Sequence, residues 1–174
     1  MTANDIFSEI INHQIEGLMI HDQLADYYGF LGLTKYRKTH ENHYKKESKS
    51  YRKVTNYFVD HYDMLPKMGQ IPNPKVIPDS WYNVNRQAVD ANTMRNAVKS
   101  GLETWVKWEK DTKAFYQNKY AELLSISEVA AAMMVCDLIS DVDSELATAE
   151  KYHLWKKHSD YDAVSITEEQ YNGN

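Results

Sequence analysis

The segment LPKMGQIPNPKVIPDSW, residues 65–81, divides the chain into two halves and decides its topology. Pro72, Pro74 and Pro78 fix φ and lack a backbone donor, so the segment is predicted to be extended rather than helical. On both sides of it, apolar side chains recur every three or four residues, which is typical of amphipathic helices. The segment is too long for a tight turn between two helices, and therefore predicts a long crossover connection.

Two helices are predicted before this segment, over about 5–29 and 35–64, and two after it, over about 84–120 and 126–157. The links within each pair are short, which predicts antiparallel neighbours. The SISE sequence at Ser125–Glu128 matches a capping box and is expected to open the fourth helix. The order of helix pair, long link and helix pair predicts an all-α four-helix bundle with a single crossover.

One domain is expected from the length of 174 residues: a bundle over residues 1–158, a crossover at about 65–83, and a loose tail over 159–174. Only 6 glycines and 4 prolines occur, which favours few, long elements. The single cysteine, Cys136, lies in an apolar run and is expected to pack in the core.

The net charge of −5 disfavours nucleic-acid binding, although residues 34–53 are basic. The apolar run VAAAMMVC is too short to span a bilayer, so no membrane association is expected. The N-terminal sequence MTANDIFSEI lacks a basic region followed by an apolar run, so a cytoplasmic location is expected.

A carboxylate in the apolar stripe of the second helix is the most informative feature of the sequence. At helical spacing, Glu47 shares a face with His43, Tyr44, Tyr51 and Val54, whereas most lysines of this helix point elsewhere. Burying an unpaired carboxylate is costly, so Glu47 needs a cation, a set of hydrogen-bond donors or a metal.

The helix order and the position of Glu47 resemble the ferritin-like superfamily, especially bacterioferritin-type chains. The metal sites of that family take one Glu each from the first and third helices and a Glu-x-x-His pair each from the second and fourth. The corresponding positions of this chain, in order, are Gln14, Glu47, Ser50, Glu109, Val142 and Glu145. The resemblance covers residues 6–152, and its ligand motif is incomplete.

The resemblance implies a reduced or atypical carboxylate metal site, built on Glu47, Glu109 and Glu145 with Gln14, Glu16 and Asp141 nearby. Such an oxygen-rich site suits iron, manganese or calcium. Because Ser50 stands in place of a histidine and Gln14 in place of a glutamate, efficient ferroxidase activity is not expected. The family also implies a homo-oligomer.

A second, displaced metal site is an alternative. His21 lies in the first helix's apolar stripe, His43 precedes Glu47 by one turn, and Glu150 and His153 form a Glu-x-x-His pair on the fourth helix. These four side chains have the chemistry of a zinc or iron site. The HENH sequence at residues 40–43 has two histidines at helical spacing that could bind a metal on their own, but near a helix start they are expected to face solvent or to be capped.

Two other functions stay open at this point. A metal-free bundle would act in oligomerisation or partner binding, and Glu47 would then pair with a lysine or a tyrosine. Iron storage would require a closed shell of many subunits.

Overall fold

The chain folds into four long helices: α1 at Ala3–Phe30, α2 at Thr34–Tyr62, α3 at Ala91–Ser125 and α4 at Val129–His158. The computed structural model describes residues 2–67, 69, 74, 76, 85, 87 and 89–162. No strand occurs among these residues. The prediction of an all-α chain with two helices on each side of a long link is therefore confirmed.

Helices α1 and α2 are antiparallel neighbours, joined by residues 31–33. Their direction follows from two side-chain contacts. Gln14 Nε2 donates to Ser50 Oγ at 2.9 Å, and His21 Nδ1 lies 3.0 Å from His40 Nδ1, so residue numbers fall on α2 as they rise on α1.

Helices α3 and α4 form the second antiparallel pair, with residues 126–128 between them. Lys110 Nζ lies 2.8 Å from Glu150 Oε1, and Lys113 Nζ lies 2.6 Å from Asp143 Oδ1. The two pairs pack together chiefly through α1 and α3.

Two apolar clusters fill the bundle, one towards each end. The first includes Ile6, Phe7, Ile10, Phe58 and Leu123, together with the first half of α4. The second has aromatic side chains from three helices as its largest members: Tyr27, Tyr28, Tyr36, Trp105 and Trp108. Each helix packs in the first cluster with one part and in the second cluster with another, and buried polar residues lie between these two parts. Together, these polar residues form a layer across the middle of the bundle.

The helix ends differ from the predicted ones. A capping box does occur, but at the start of α1, where Thr2 and Asp5 hydrogen-bond reciprocally. The predicted box at Ser125–Glu128 is wrong: Ser125 still belongs to α3, and its hydroxyl donates to the Glu122 carbonyl. Glu128 is the cap residue of α4, and its carboxylate accepts from Tyr62 rather than from the backbone of α4.

Few residues of the predicted crossover are described. Gln23 of α1 holds two of them, since its Nε2 donates to the Pro74 carbonyl at 2.7 Å and its Oε1 accepts from Val76 N at 3.1 Å. Helix α3 begins at residue 91, later than the predicted 84, because the Asp90 side chain caps it by accepting from Thr93 N at 2.7 Å.

The remaining sequence-based expectations concern the C-terminal tail and Cys136. Most of the predicted tail, residues 163–174, lies outside the described residues. Cys136 is exposed on α4, so the prediction that it packs in the core is wrong: its neighbours Val135 and Met134 face inwards instead. None of the described helices combines the length and the apolar character that a membrane span requires.

Candidate metal centre

Eight buried side chains make up the polar layer between the apolar clusters. They come from all four helices and include three histidines and three glutamates: Gln14, His21, His40, His43, Glu47, Glu109, Thr112 and Glu145. Each of these residues is at most 9% exposed. Because charged side chains are rarely buried without a partner, this concentration marks the layer as the functional candidate.

His21, His43 and Glu109 form the centre of the layer. One potential ligand atom from each lies within 4.8 Å of those from the other two, and no other group of this kind occurs among the described residues. His21 Nε2 lies 3.7 Å from Glu109 Oε1, and the rings of His21 and His43 stack with centroids 5.0 Å apart. Three helices, α1, α2 and α3, contribute one residue each. These three residues are the candidate metal centre.

Two neighbours orient these side chains. His40 Nδ1 contacts His21 Nδ1 at 3.0 Å, and Trp105 Nε1 donates to Glu109 Oε1 at 2.9 Å. The first contact leaves His21 Nε2 without a hydrogen-bond partner, and the second leaves Glu109 Oε2 without one. A ligand histidine commonly uses its second ring nitrogen in such a contact, which fixes its tautomer and orientation.

One atom of each residue in the centre is left without a hydrogen-bond partner. These buried atoms are His21 Nε2, His43 Nδ1 and Glu109 Oε2. If His21 Nδ1 carries the proton and donates it to His40, then His21 Nε2 presents a lone pair to the centre. Two imidazole nitrogens and a carboxylate are the donor set of several non-haem iron and zinc sites.

The protonation of the layer follows from its burial. Burial, followed by the charges of His40 and His43, holds the pKa of His21 well below its usual value, and burial lowers the pKa of His40 to about 3. Both are therefore neutral at pH 7. Burial and then the charge of Glu145 raise the pKa of Glu109 to about 9, against the hydrogen bond from Trp105. A bound divalent cation would replace the proton on Glu109.

Glu145 and Glu47 lie next to the centre on the side that faces solvent. Glu145 Oε1 lies 3.5 Å from His43 Nδ1 and 3.6 Å from the exposed Lys46 Nζ. Burial, followed by the charges of Glu145 and Asp141, raises the pKa of Glu47 to about 8. Both glutamates line a cavity of about 380 Å³ between α2 and α4, which we call the α2–α4 cavity.

The sequence-predicted carboxylates are therefore near one another but do not all join the centre. Glu47, Glu109 and Glu145 are buried and act on one another electrostatically. Of these, only Glu109 belongs to the group at ligand distances among the described residues. Asp141 is exposed at the cavity, and Glu16 is half-buried on α1.

Two of the positions that the family resemblance assigns to ligands hydrogen-bond to each other instead. Gln14 donates to Ser50 at 2.9 Å, which joins α1 to α2 without a metal. Val142 is the third position at which this chain lacks a ligand residue of the family, and it is buried in the first apolar cluster.

The alternative set of histidines and Glu150 divides into two parts. His21 and His43 meet in the centre, as the alternative required. Glu150 is exposed and pairs with Lys110, while the His153 ring contacts Tyr161 Oη at 3.1 Å. The two members from α4 therefore lie outside the group.

Sequence reasoning missed His40 and Trp105. The expectation that the HENH histidines face solvent is wrong, because His40 is fully buried and His43 is 6% exposed. Tyr28 and Trp105 pack on the His40 ring and enclose it. The spacing of three residues between the histidines did place both on one helix face, and the spacing of four between Trp105 and Glu109 was also visible.

Comparisons with known proteins add no assignment. No protein-family model matches the chain, and no curated protein matches it.

Proposed function

We propose that this chain is a ferritin-like bundle that binds one divalent transition metal, iron or manganese, through His21, His43 and Glu109. The observation that carries the proposal is the convergence of three buried ligand residues, each with one atom lacking a hydrogen-bond partner. Leaving a buried polar atom unpaired costs about 1–3 kcal/mol, and a single cation would satisfy all three.

A single metal fits these residues better than a pair. The family's two-metal site needs the positions of Gln14 and Ser50, which hydrogen-bond to each other, and the position of Val142, which is apolar. We therefore expect metal binding without efficient ferroxidase activity. The nitrogen ligands also make zinc a competitor, because imidazole suits Zn²⁺ as well as Fe²⁺.

Isothermal titration of the chelator-treated protein tests the proposal, with Mn²⁺, Zn²⁺ and, under anaerobic conditions, Fe²⁺. The wild type is expected to bind one equivalent, and His21→Gln and His43→Gln are expected to abolish that binding. His153→Gln is the matched control, since it removes a histidine outside the centre. Trp105→Phe removes the hydrogen bond to Glu109 and is expected to weaken binding by about 10- to 100-fold.

The pattern of losses distinguishes this centre from the carboxylate site that the family resemblance implies. If Glu47→Gln abolishes binding while His21→Gln does not, the metal lies among the carboxylates. If the wild type binds none of the three ions, the metal-free bundle becomes the better explanation. The high pKa values of Glu47 and Glu109 favour that second function, because both are largely neutral without a metal at pH 7.

A homo-oligomer is part of the proposal. Exposed apolar side chains near the α3–α4 turn support it, namely Leu124, Ile126, Val129 and Met133. Gel filtration tests it, and a particle of many subunits would favour iron storage.

A further inference from the structure

The α2–α4 cavity lies beside the candidate metal centre, and Glu145 in its lining is a neighbour of the centre. Its lining includes Glu47 and Glu145, the two buried carboxylates that flank the centre, and the exposed Asp141. Three lysines also line it: Lys46, Lys49 and Lys53, of which Lys53 pairs with Asp137. Glu145 also lies 3.5 Å from His43, a residue of the centre itself. The cavity therefore reaches the centre through Glu145.

The carboxylates become more buried from the surface to the centre. Asp141 is exposed, Glu47 is 9% and Glu145 is 8% exposed, and Glu109 is fully buried. Electrostatic interactions link them in the same order, since Asp141 acts on Glu47, and both Glu47 and Glu145 act on Glu109.

The contacts of Glu47 reveal no function in holding the fold together. Within the part of the chain that the structure describes, no hydrogen bond or ion pair involves its carboxyl group, although the residue is nine-tenths buried and lines the cavity. A largely buried carboxyl group that lines a cavity and has no protein partner is accessible to a ligand that enters the cavity.

We propose that the α2–α4 cavity is the path by which a divalent cation enters, with Asp141 capturing the ion and Glu47 and Glu145 passing it to the centre. This inference rests on the proposed function. It gives the sequence-predicted carboxylates a kinetic function in place of a permanent ligand function.

Lys46 opposes entry along this path. Its side chain is 65% exposed, and its Nζ lies 3.6 Å from Oε1 of Glu145, the neighbour of the centre. A cation that reaches Glu145 must compete with this ammonium group. Removing the charge of Lys46 should therefore accelerate association, whereas removing the charge of Asp141 should slow it.

The expected size follows from Coulomb's law. A divalent ion that passes about 5 Å from one carboxylate, in water at physiological ionic strength, gains an attraction equivalent to about a fivefold change in rate. Asp141→Asn should slow association by about that factor, and Lys46→Gln should accelerate it by a similar factor. High salt should reduce both effects.

Stopped-flow tryptophan fluorescence with Co²⁺ measures the association rate, because Trp105 donates to Glu109 and reports on the centre. Asp143→Asn is the control for Asp141: both are exposed aspartates on α4, but Asp143 pairs with Lys113 of α3. Lys45→Gln is the control for Lys46, since it removes an exposed lysine that does not line the cavity.

The inference is supported if the cavity variants change the association rate in opposite directions and their controls do not. Asp141→Asn should leave the equilibrium dissociation constant within about twofold. Equal slowing by Asp141→Asn and Asp143→Asn would overturn the path and indicate steering by the total charge. If Co²⁺ binds at equilibrium but neither cavity variant alters its rate, the path is wrong and the centre stands. If Co²⁺ does not bind at all, the centre itself fails.

Discussion

Replacing Glu47 with glutamine is expected to stabilise the metal-free protein at neutral and alkaline pH and to leave it unchanged in acid. Burial, followed by the charges of Glu145 and Asp141, raises the pKa of Glu47 from 4.5 to about 8. At pH 7 the folded protein therefore holds a proton that the unfolded chain releases. Glutamine has nearly the shape of the protonated acid and does not ionise.

The magnitude follows from the difference between the two pKa values. Because the folded-state pKa of Glu47 is raised, its contribution to stability is fully present below pH 4.5 and is lost as the pH rises towards 8. Each pH unit in that interval lowers the free energy of unfolding by about 1.4 kcal/mol. The loss is about 3 kcal/mol at pH 7 and about 5 kcal/mol above pH 8, and Glu47→Gln should recover it.

Guanidinium unfolding followed by circular dichroism, with a chelator present, measures this difference at pH 4.5, 7 and 8.5. Glu41→Gln is the matched control on the same helix. Glu41 pairs at 2.7 Å with Arg37 on the surface, so its replacement should change the free energy of unfolding by less than about 1 kcal/mol at each pH. Equal pH dependence of the wild type and Glu47→Gln, or a lower stability of the variant at pH 7, would refute the reasoning. Glu47 would then be ionised and paired in the folded protein.

Two further substitutions test the packing around the polar layer. Burial lowers the pKa of His13 from 6.5 to about 4, so its contribution to stability is present above pH 6.5 and is lost as the pH falls through 4. At pH 5 the loss from His13 is about 2 kcal/mol, less any cation–π attraction to the stacked Trp108 ring. His21 and His40 titrate in both proteins, so the test is the difference: between pH 7.5 and 5, His13→Gln should lose about 2 kcal/mol less than the wild type in unfolding experiments. Gly17→Ala places a Cβ 3.1 Å from Trp108 and 3.5 Å from the Glu47 carboxyl carbon, so thermal unfolding should show a loss of about 1–3 kcal/mol. Gly29→Ala is its control, because the nearest neighbour of the added Cβ is the flexible, exposed side chain of Arg37. The higher helix propensity of alanine should then outweigh this contact, and the variant should not be destabilised.

The helices were predictable because their information is local. Apolar spacing identified four helices, and the prolines at residues 72–78 identified the long link between the pairs. Helix ends were less predictable, since several patterns compete for the same backbone groups. Ser125–Glu128 has the capping-box sequence, yet Tyr62 of α2 uses the Glu128 carboxylate.

The burial of Glu47 was likewise visible in the apolar stripe of one helix, whereas Glu109 and Glu145 were placed near it only by the family resemblance. The assembly of a centre was not visible, because it depends on how far one helix is shifted along another. The contact between His21 and His43 requires the register of α1 on α2, and that register is fixed by packing over the whole length of both helices. A shift of one turn, about 5.4 Å, would separate these rings.

The arrangement of the polar layer favours a metal over an internal ion pair. A lysine could neutralise a buried carboxylate, but Lys46 reaches Glu145 from the solvent side and makes no ion pair with Glu109 among the described residues. The nearest cationic candidates for Glu109 are histidines, and burial keeps His21 neutral. The charge of Glu109 is therefore neutralised by a proton or by a bound metal. A bound metal would also contact His21 Nε2 and His43 Nδ1, whereas protonation of Glu109 leaves both nitrogens without a partner. Unfolding of the wild type with Mn²⁺ at a hundredfold excess over its dissociation constant should thus gain about 2.7 kcal/mol, and His43→Gln should gain none.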